Sequence, residues 1–162
     1  MSKFRPQEIS VVVPVKNEQD NVVSLIAEID AALSKVKHQI IYVNDGSTDA
    51  TLSTLKQLQK KYKQLRVISH QQSCGQSTAV RTGVRFARYD WVATLDGDGQ
   101  NNPADIPKLI DAVSEGVELV GGNRRKNWRV QVVVILDPVD RYAVLRDLGE
   151  IQRNRSRHQT RD

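Results

Sequence analysis

Asp96 and Asp98 stand one residue apart in the run Asp96-Gly97-Asp98-Gly99-Gln100, directly after the strand-like Trp91-Val92-Ala93-Thr94-Leu95. Mg²⁺ and Mn²⁺ take oxygen ligands and commonly bind through one or two carboxylates plus substrate phosphates. Asp98 and Gln100 are alternate residues of a turn, so both side chains could address one ion. Asp96 could bind directly, bind through water, or face a ribose. A cation held there can in turn hold a diphosphate, which points towards nucleotide or nucleotide-sugar chemistry. The competing reading is a solvated acidic turn, because Asp and Gly favour turns for backbone reasons alone. A calcium EF-hand fits badly: counted from Asp96, the sixth position is Asn101 instead of Gly and the twelfth is Pro107 instead of Glu. There is no Gly-x-x-x-x-Gly-Lys-Ser/Thr run, which excludes a P-loop. Gly97 and Gly99 lack a third glycine and follow the fourth strand, so a dinucleotide fingerprint is unsupported.

Other candidates lie further up and down the chain. Asp45, after Ile40-Ile41-Tyr42-Val43-Asn44, could accept hydrogen bonds from a nucleotide base, or serve as a turn or cap residue. Glu18 could contact the base or favour the first turn of the helix that follows. Arg124, after Gly121-Gly122, could neutralise diphosphate oxygens as a planar fork, or open a solvated basic run. His70 and Cys74, four residues apart, suggest a thiol site less well than they suggest a small, buried or half-exposed cysteine.

The elements that must position these residues follow from periodicity. Ile9 to Val15 is a continuous apolar run, expected for a strand buried on both faces. Val22, Leu25, Ile26, Ile29, Leu33 and Val36 recur at helical spacing. Gln39 to Asn44 repeats the strand pattern. Asp49 is then placed to cap a helix with Leu52, Leu55, Leu58 and Tyr62 on its apolar face. Arg66 to Ser69 reads as a short strand and Ser77 to Tyr89 as a third helix. Asn102 and Pro103 predict an N-cap and first helical residue for a helix bearing Ile106, Leu109, Ile110 and Val113. Val117 to Val120 is a fifth expected strand. Alternating strands and helices predict an α/β fold, a mostly parallel sheet flanked by helices. In such sheets, ligands bind at the carboxyl ends of the strands. Lys16-Asn17-Glu18, Asp45-Gly46-Ser47, Asp96 to Gln100 and Asn123-Arg124 all fall there.

At 162 residues, the chain is expected to form one domain. No apolar run approaches the roughly 20 residues of a membrane helix, and the N-terminus lacks a signal-peptide pattern. Cys74 is the only cysteine, which excludes an internal disulfide and favours a cytoplasmic setting. The net charge of +5 is concentrated at one end. Residues 124–162 carry ten basic and five acidic side chains, while the remainder is balanced. That asymmetry is compatible with nucleic acid, anionic lipid or disorder; without interleaved aromatics or a nucleic-acid motif, nucleic acid is disfavoured.

Taken together, Val11-Val12-Val13-Pro14-Val15-Lys16-Asn17-Glu18, Val43-Asn44-Asp45-Gly46-Ser47-Thr48-Asp49, Gly75 to Gly83, Asp96 to Gln100 and Gly121-Gly122-Asn123-Arg124 resemble the family 2 glycosyltransferases. The polyprenyl-phosphate (dolichyl-phosphate) mannose and glucose synthases are the branch they are most similar to. Each motif alone is weak, but five in order over residues 9 to about 126 are specific. The resemblance implies a GT-A type nucleotide-sugar-binding domain. By position, Pro14, Lys16, Glu18, Val43 and Asp45 would surround base and ribose. Asp96, Asp98 and Gln100 would hold Mg²⁺ or Mn²⁺ and the diphosphate, with Ala79 nearby and Arg124 on the phosphates. Asp98 and Arg124 would be the catalytic pair. The implied reaction moves a hexose, with inversion, from a GDP- or UDP-sugar to a polyprenyl phosphate. Because that acceptor is already ionised near neutral pH, no dedicated general base is required.

Three departures stand out. Lys16 replaces a frequent tyrosine, and Asn44 replaces a common first aspartate. After Arg125, nothing resembles an acceptor-side half. Residues 1–126 are therefore expected to form the donor-binding domain and 127–162 a basic tail. Within that tail, Arg129 to Leu136 and Arg141 to Ile151 could form a strand and a helix. The favoured expectation is an aberrant end, as truncation or a frameshift would leave, which makes a non-catalytic nucleotide-sugar-binding remnant the alternative reading. Peripheral contact with the inner face of a membrane stays open, although the tail lacks the apolar face of an interfacial helix.

Overall fold

The computed structural model describes residues 6–113. The expected strand at 117–120, Arg124 and the tail from 127 onwards lie outside the described residues.

Four parallel strands form one sheet: β1 (Glu8–Val15), β2 (Lys37–Asp45), β3 (Leu65–His70) and β4 (Val92–Thr94). Their spatial order is β3-β2-β1-β4. The helices between and after them are α1 (Val22–Ala32), α2 (Thr51–Lys61), α3 (Gln76–Arg85) and α4 (Asp105–Asp111). The period-2 alternation of strand side chains sorts the core into two layers. Ile9, Val11, Val13 and Val15 of β1, with Ile40 and Tyr42 of β2, pack against α1, α2 and α4 through Leu25, Ile26, Ile29, Leu55, Ile106, Leu109 and Ile110. Val12, Ile41, Val43 and Val92 point the other way, onto Ala79, Val80 and Val84 of α3. Both faces are therefore covered, which explains why β1 reads as an unbroken apolar run.

Pro14 sits in the central strand, although proline cannot donate to a ladder. The register explains it. Ser10 N donates to Trp91 O (2.8 Å) and Leu95 N donates to Val12 O (3.0 Å), so even-numbered residues of β1 turn their backbone groups towards β4. The last paired residues on that side are Val12 and Thr94. Pro14 lies beyond them, and no ladder bond is lost.

Helix ends differ from the periodicity by a few residues. Leu33 and Val36 are buried but follow the end of α1, and Ala87 and Tyr89 follow the end of α3. Apolar periodicity reports burial, which continues after the helical hydrogen bonds stop. Asp49 stands one residue before Ala50, the N-cap of α2, yet its Oδ1 accepts from Thr51 N (2.9 Å) and Thr51 Oγ1 (2.6 Å) at the first helical residue. Asn102 likewise accepts from Ala104 N (3.1 Å), but a turn precedes α4, so Pro103 is not its first residue. Pro107 falls in the first turn of α4, where a missing N–H breaks no intrahelical bond. No described helix is long and apolar enough to cross a membrane.

Gly83 lets α3 settle on the sheet. A Cβ there would stand 2.3 Å from Val12 Cγ1, well inside van der Waals contact. Gly83→Ala is expected to destabilise the fold by about 1–3 kcal/mol, read as a lower urea midpoint by circular dichroism. Adding Val12→Ala should recover part of that loss, since the two atoms share one space.

Candidate functional site

β2 and β3 lie on one side of β1, and β4 pairs on the other. The loops that leave β1, β2 and β4 thus lie side by side at the carboxyl ends of the strands, where ligands bind in parallel α/β sheets. A cleft of about 480 Å³ there is lined by Pro14, Val15, Lys16 and Glu18 from the end of β1, Asp45 from β2, Ser73, Gly75 and Gln76 from the approach to α3, and Asp96, Gly97 and Asp98 after β4.

The β1 wall is fastened to the β2 loop. Asn17 adopts φ +54°, a left-handed conformation uncommon outside glycine and sustained only by surrounding bonds. Its Oδ1 accepts from Thr48 N (2.8 Å), and its N–H donates to Ser47 Oγ (2.9 Å). Glu18 N donates to Thr51 Oγ1 (2.9 Å), and Ala50 N donates to Gln19 Oε1 (3.0 Å). The Thr51 hydroxyl in turn holds the Asp49 carboxyl below the ordinary carboxylate range. Glu18 Oε2 accepts from Asn21 Nδ2 (2.6 Å) at the entry to α1, so Glu18 both shapes the helix start and lines the cleft.

Asp45 is almost fully buried and accepts four hydrogen bonds. Oδ1 takes His70 Nδ1 (2.7 Å) and Cys74 N (2.8 Å); Oδ2 takes Ser73 Oγ (2.9 Å) and Gly75 N (2.9 Å). A carboxylate offers about four lone-pair positions, and all are used within the protein. Burial alone would raise its pKa, but the Cys74 N–H, His70, Ser73 and the Gly75 N–H outweigh it and hold the group at about 2. His70 also meets Thr82 Oγ1 of α3 through Nε2 (3.0 Å). Lys16, exposed, donates through Nζ to Ser73 Oγ (3.2 Å).

On the opposite wall, Gly97 allows the acidic loop to touch β1. A Cβ there would stand 2.3 Å from Val15 Cγ1 and 3.0 Å from Pro14 O. Asp96 Oδ1 accepts from Gln76 Nε2 (2.7 Å), and Asp98 Oδ1 accepts from Gln100 N (3.0 Å). The structure thus brings Pro14, Lys16, Glu18, Asp45, Asp96 and Asp98 to one cleft. Val43 and Ala79 are fully buried in the layer between sheet and α3, backing the wall without lining it. Gln100 is exposed and outside the lining. Cys74 is exposed as well, in contrast to the expected buried or half-exposed thiol, because its N–H anchors the turn while its side chain faces outwards.

Ser73 carries no local signal of its own in the sequence, whereas Gly75 and Gln76 open the family-like segment Gly75 to Gly83. Their place in the cleft follows from Asp45 binding a segment roughly thirty residues downstream. Among the described residues, Asp45, His70 and Cys74 also form a mixed trio whose ligand atoms lie within 4.8 Å of one another. It is separate from the Asp96–Asp98 pair.

The fold is that of the GT-A glycosyltransferases. It is similar to the mannosyltransferase PcManGT from Pyrobaculum calidifontis, solved in complex with GDP-Man and Mn²⁺. The TM-score is 0.65 at 17% identity, covering 87% of this chain and 47% of that one. Glucosyl-3-phosphoglycerate synthase from Mycobacterium tuberculosis, solved with Mn²⁺ and UDP, gives a TM-score of 0.55 at 24% identity over 70% and 42% of the two chains. The chain belongs to glycosyl transferase family 2, whose model matches residues 10–134. It is 41% identical over 106 residues to the dodecaprenyl-phosphate galacturonate synthase of Rhizobium johnstonii, covering 64% of this chain and 31% of that protein. It is 36% identical over 127 residues to the dolichol-phosphate mannosyltransferase of Pyrococcus furiosus, covering 75% and 36%. The chain therefore spans about a third of the length of these curated relatives.

Asp45 titrates below its ordinary 3.8, so its contribution to stability is fully present above pH 3.8 and is lost as pH falls through about 2. Asp45→Asn replaces one acceptor oxygen by a donor facing Ser73 and Gly75, and is expected to cost about 2 kcal/mol at neutral pH. In urea titrations, the gap between parent and variant should be constant above pH 5 and narrow below pH ~3.8.

Proposed function

We propose that this chain is the donor-binding part of a metal-dependent, inverting hexosyltransferase that uses a GDP- or UDP-sugar and a polyprenyl phosphate acceptor. The supporting observation is the convergence, on one cleft at the carboxyl ends of the strands, of the β1 and β2 ends with the Asp96–Asp98 loop. Family membership and the polyprenyl-phosphate relatives favour this acceptor class.

The donor set at the acidic loop is all oxygen, which suits Mg²⁺ or Mn²⁺. Asp98 is exposed at the cleft and Asp96 lies beside it, so Asp96 and Asp98 would hold the ion, with Gln100 completing the set on rearrangement of its side chain. The ion supplies charge neutralisation for the departing nucleoside diphosphate. Pro14 and Glu18 would flank the base and ribose. Lys16, whose ammonium sits on the cleft rim, would meet phosphate where a tyrosine would have stacked. Asp45 would serve the base side chiefly by holding Ser73 and Gly75 in the wall, because its own acceptor positions are filled. Arg124, outside the described residues, is assigned to the diphosphate by resemblance. Proximity and leaving-group stabilisation would then carry transfer to the acceptor phosphate, which supplies its own nucleophilic oxygen. The proposed setting is cytoplasmic, with peripheral contact at a membrane that presents the lipid.

The alternative reading is a nucleotide-sugar-binding module without transferase activity. Donor binding is common to both readings. Calorimetry with GDP-mannose and UDP-glucose in Mn²⁺ should detect binding of one donor, weakened at least about tenfold by Asp98→Asn and equally by chelation of the metal. Failure of both donors to bind would sink both readings. Binding without labelled lipid product from polyprenyl phosphate would leave the module.

A further inference from the structure

We propose that Asp45, His70 and Cys74 form a second cation site, selective for Zn²⁺-like ions and distinct from the hard-cation site at Asp96 and Asp98. One carboxylate, one imidazole and one thiol are presented from the ends of β2 and β3 and from the turn before α3, with ligand atoms within 4.8 Å of one another. Zn²⁺ accepts this mixture of ligands, whereas Mg²⁺ and Mn²⁺ prefer oxygen alone. With three protein ligands, the fourth tetrahedral position falls to water.

The surroundings are those of a prepared metal site. His70 Nε2 already meets Thr82 Oγ1 at 3.0 Å, the kind of outer contact that orients a ligating imidazole. Asp45 Oδ2 is held by Ser73 Oγ and Gly75 N, and Oδ1 by Cys74 N at 2.8 Å, so the Oδ1 position that now takes His70 Nδ1 at 2.7 Å is the one a metal would occupy. Zn–O and Zn–N bonds of about 2.0 Å require that gap to widen by about half an ångström, and Zn–S of about 2.3 Å requires the thiol to swing inwards by about 1 Å. Cys74 is exposed and its thiol donates to Gln72 O at 3.3 Å; a change of rotamer that gives up this exposed bond would supply the movement.

Proton balance is simple. Facing a carboxylate, His70 Nδ1 carries its ring proton in the metal-free protein. On binding, the proton moves to Nε2, which donates to Thr82 Oγ1, and Nδ1 takes the metal. The Cys74 thiol releases one proton to solvent as the thiolate coordinates. The bound ion would fasten the 70–75 turn to the end of β2 and so stiffen one wall of the cleft. None of this depends on the chain transferring a sugar.

Because Cys74 is the only cysteine, the test is clean. Tag-free full-length protein is titrated with Co²⁺, then with Zn²⁺, following visible ligand-field bands, the thiolate-to-cobalt charge-transfer band and the iodoacetamide reaction rate of Cys74. The expected result is a tetrahedral Co²⁺ spectrum with a thiolate band, its displacement by one equivalent of Zn²⁺, and at least about tenfold slower alkylation of the Zn²⁺-bound protein. Cys74→Ser should abolish the charge-transfer band, and Thr82→Val should weaken Zn²⁺ binding about ten- to a hundredfold. Asp98→Asn should leave both unchanged. A thiolate band that persists in His70→Asn, or Zn²⁺ affinity unaffected by both Cys74→Ser and Thr82→Val, would overturn the site. So would displacement of Co²⁺ by equimolar Mn²⁺. The exposed position of Cys74 makes its serine variant a fair test even if the His70 variant folds poorly.

Discussion

The cleft depends above all on one buried carboxylate. Asp45 sits where β2 ends, and folding takes it out of water, which by itself favours the neutral acid. The chain answers with four donors, three of them from the 73–75 turn and one from His70 at the end of β3. Satisfying that charge draws the turn against the sheet edge of the cleft. Gly46, at φ +68°, belongs to the same constraint: a side chain there would run into Ser73 N at 2.6 Å. The turn then delivers Gln76 to Asp96 across the cleft. A local electrostatic requirement thus connects the β2 end to the acidic loop after β4.

The remaining wall is set by similar exchanges between loops that have no partner of their own. Asn17 tolerates a left-handed backbone because Ser47 and Thr48 bond it from the next strand's loop. Gly97 brings the acidic loop within contact distance of Val15 and Pro14. Because loops at strand ends cannot use the sheet ladder, their polar groups bond each other. The result is a cleft whose floor is rigid sheet and whose rim is side-chain-to-backbone bonding.

Much of the architecture was legible in residue order. The unbroken apolar β1, the repeated strand–helix alternation and the resemblance of the loop motifs led to a parallel sheet and a GT-A domain, and the described residues have that form; the polar loops expected to carry a site line one cleft at the strand ends. Helix limits were less legible, since Val36 and Tyr89 keep the apolar rhythm while lying outside any helix. Pro14 is accommodated in a central strand because β4 ends before it, which only the register shows. Proximity of Asp45 to Asp96 and Asp98 could be argued only from topology, Gln76 was marked only as part of the Gly75 to Gly83 segment, and Ser73 not at all.

Residue types and spacing by themselves determined the elements, the two-faced burial of the sheet and the set of carboxylates offered to a ligand, because periodicity and turn chemistry are local properties of the chain. Only the tertiary structure decided what those groups do at close range. It filled every acceptor position of Asp45 with protein donors, withdrew Val43 and Ala79 into the packing layer and placed His70 and Cys74 beside Asp45. These outcomes turn on distances between residues that are tens of positions apart, and such distances exist only once the strands have paired.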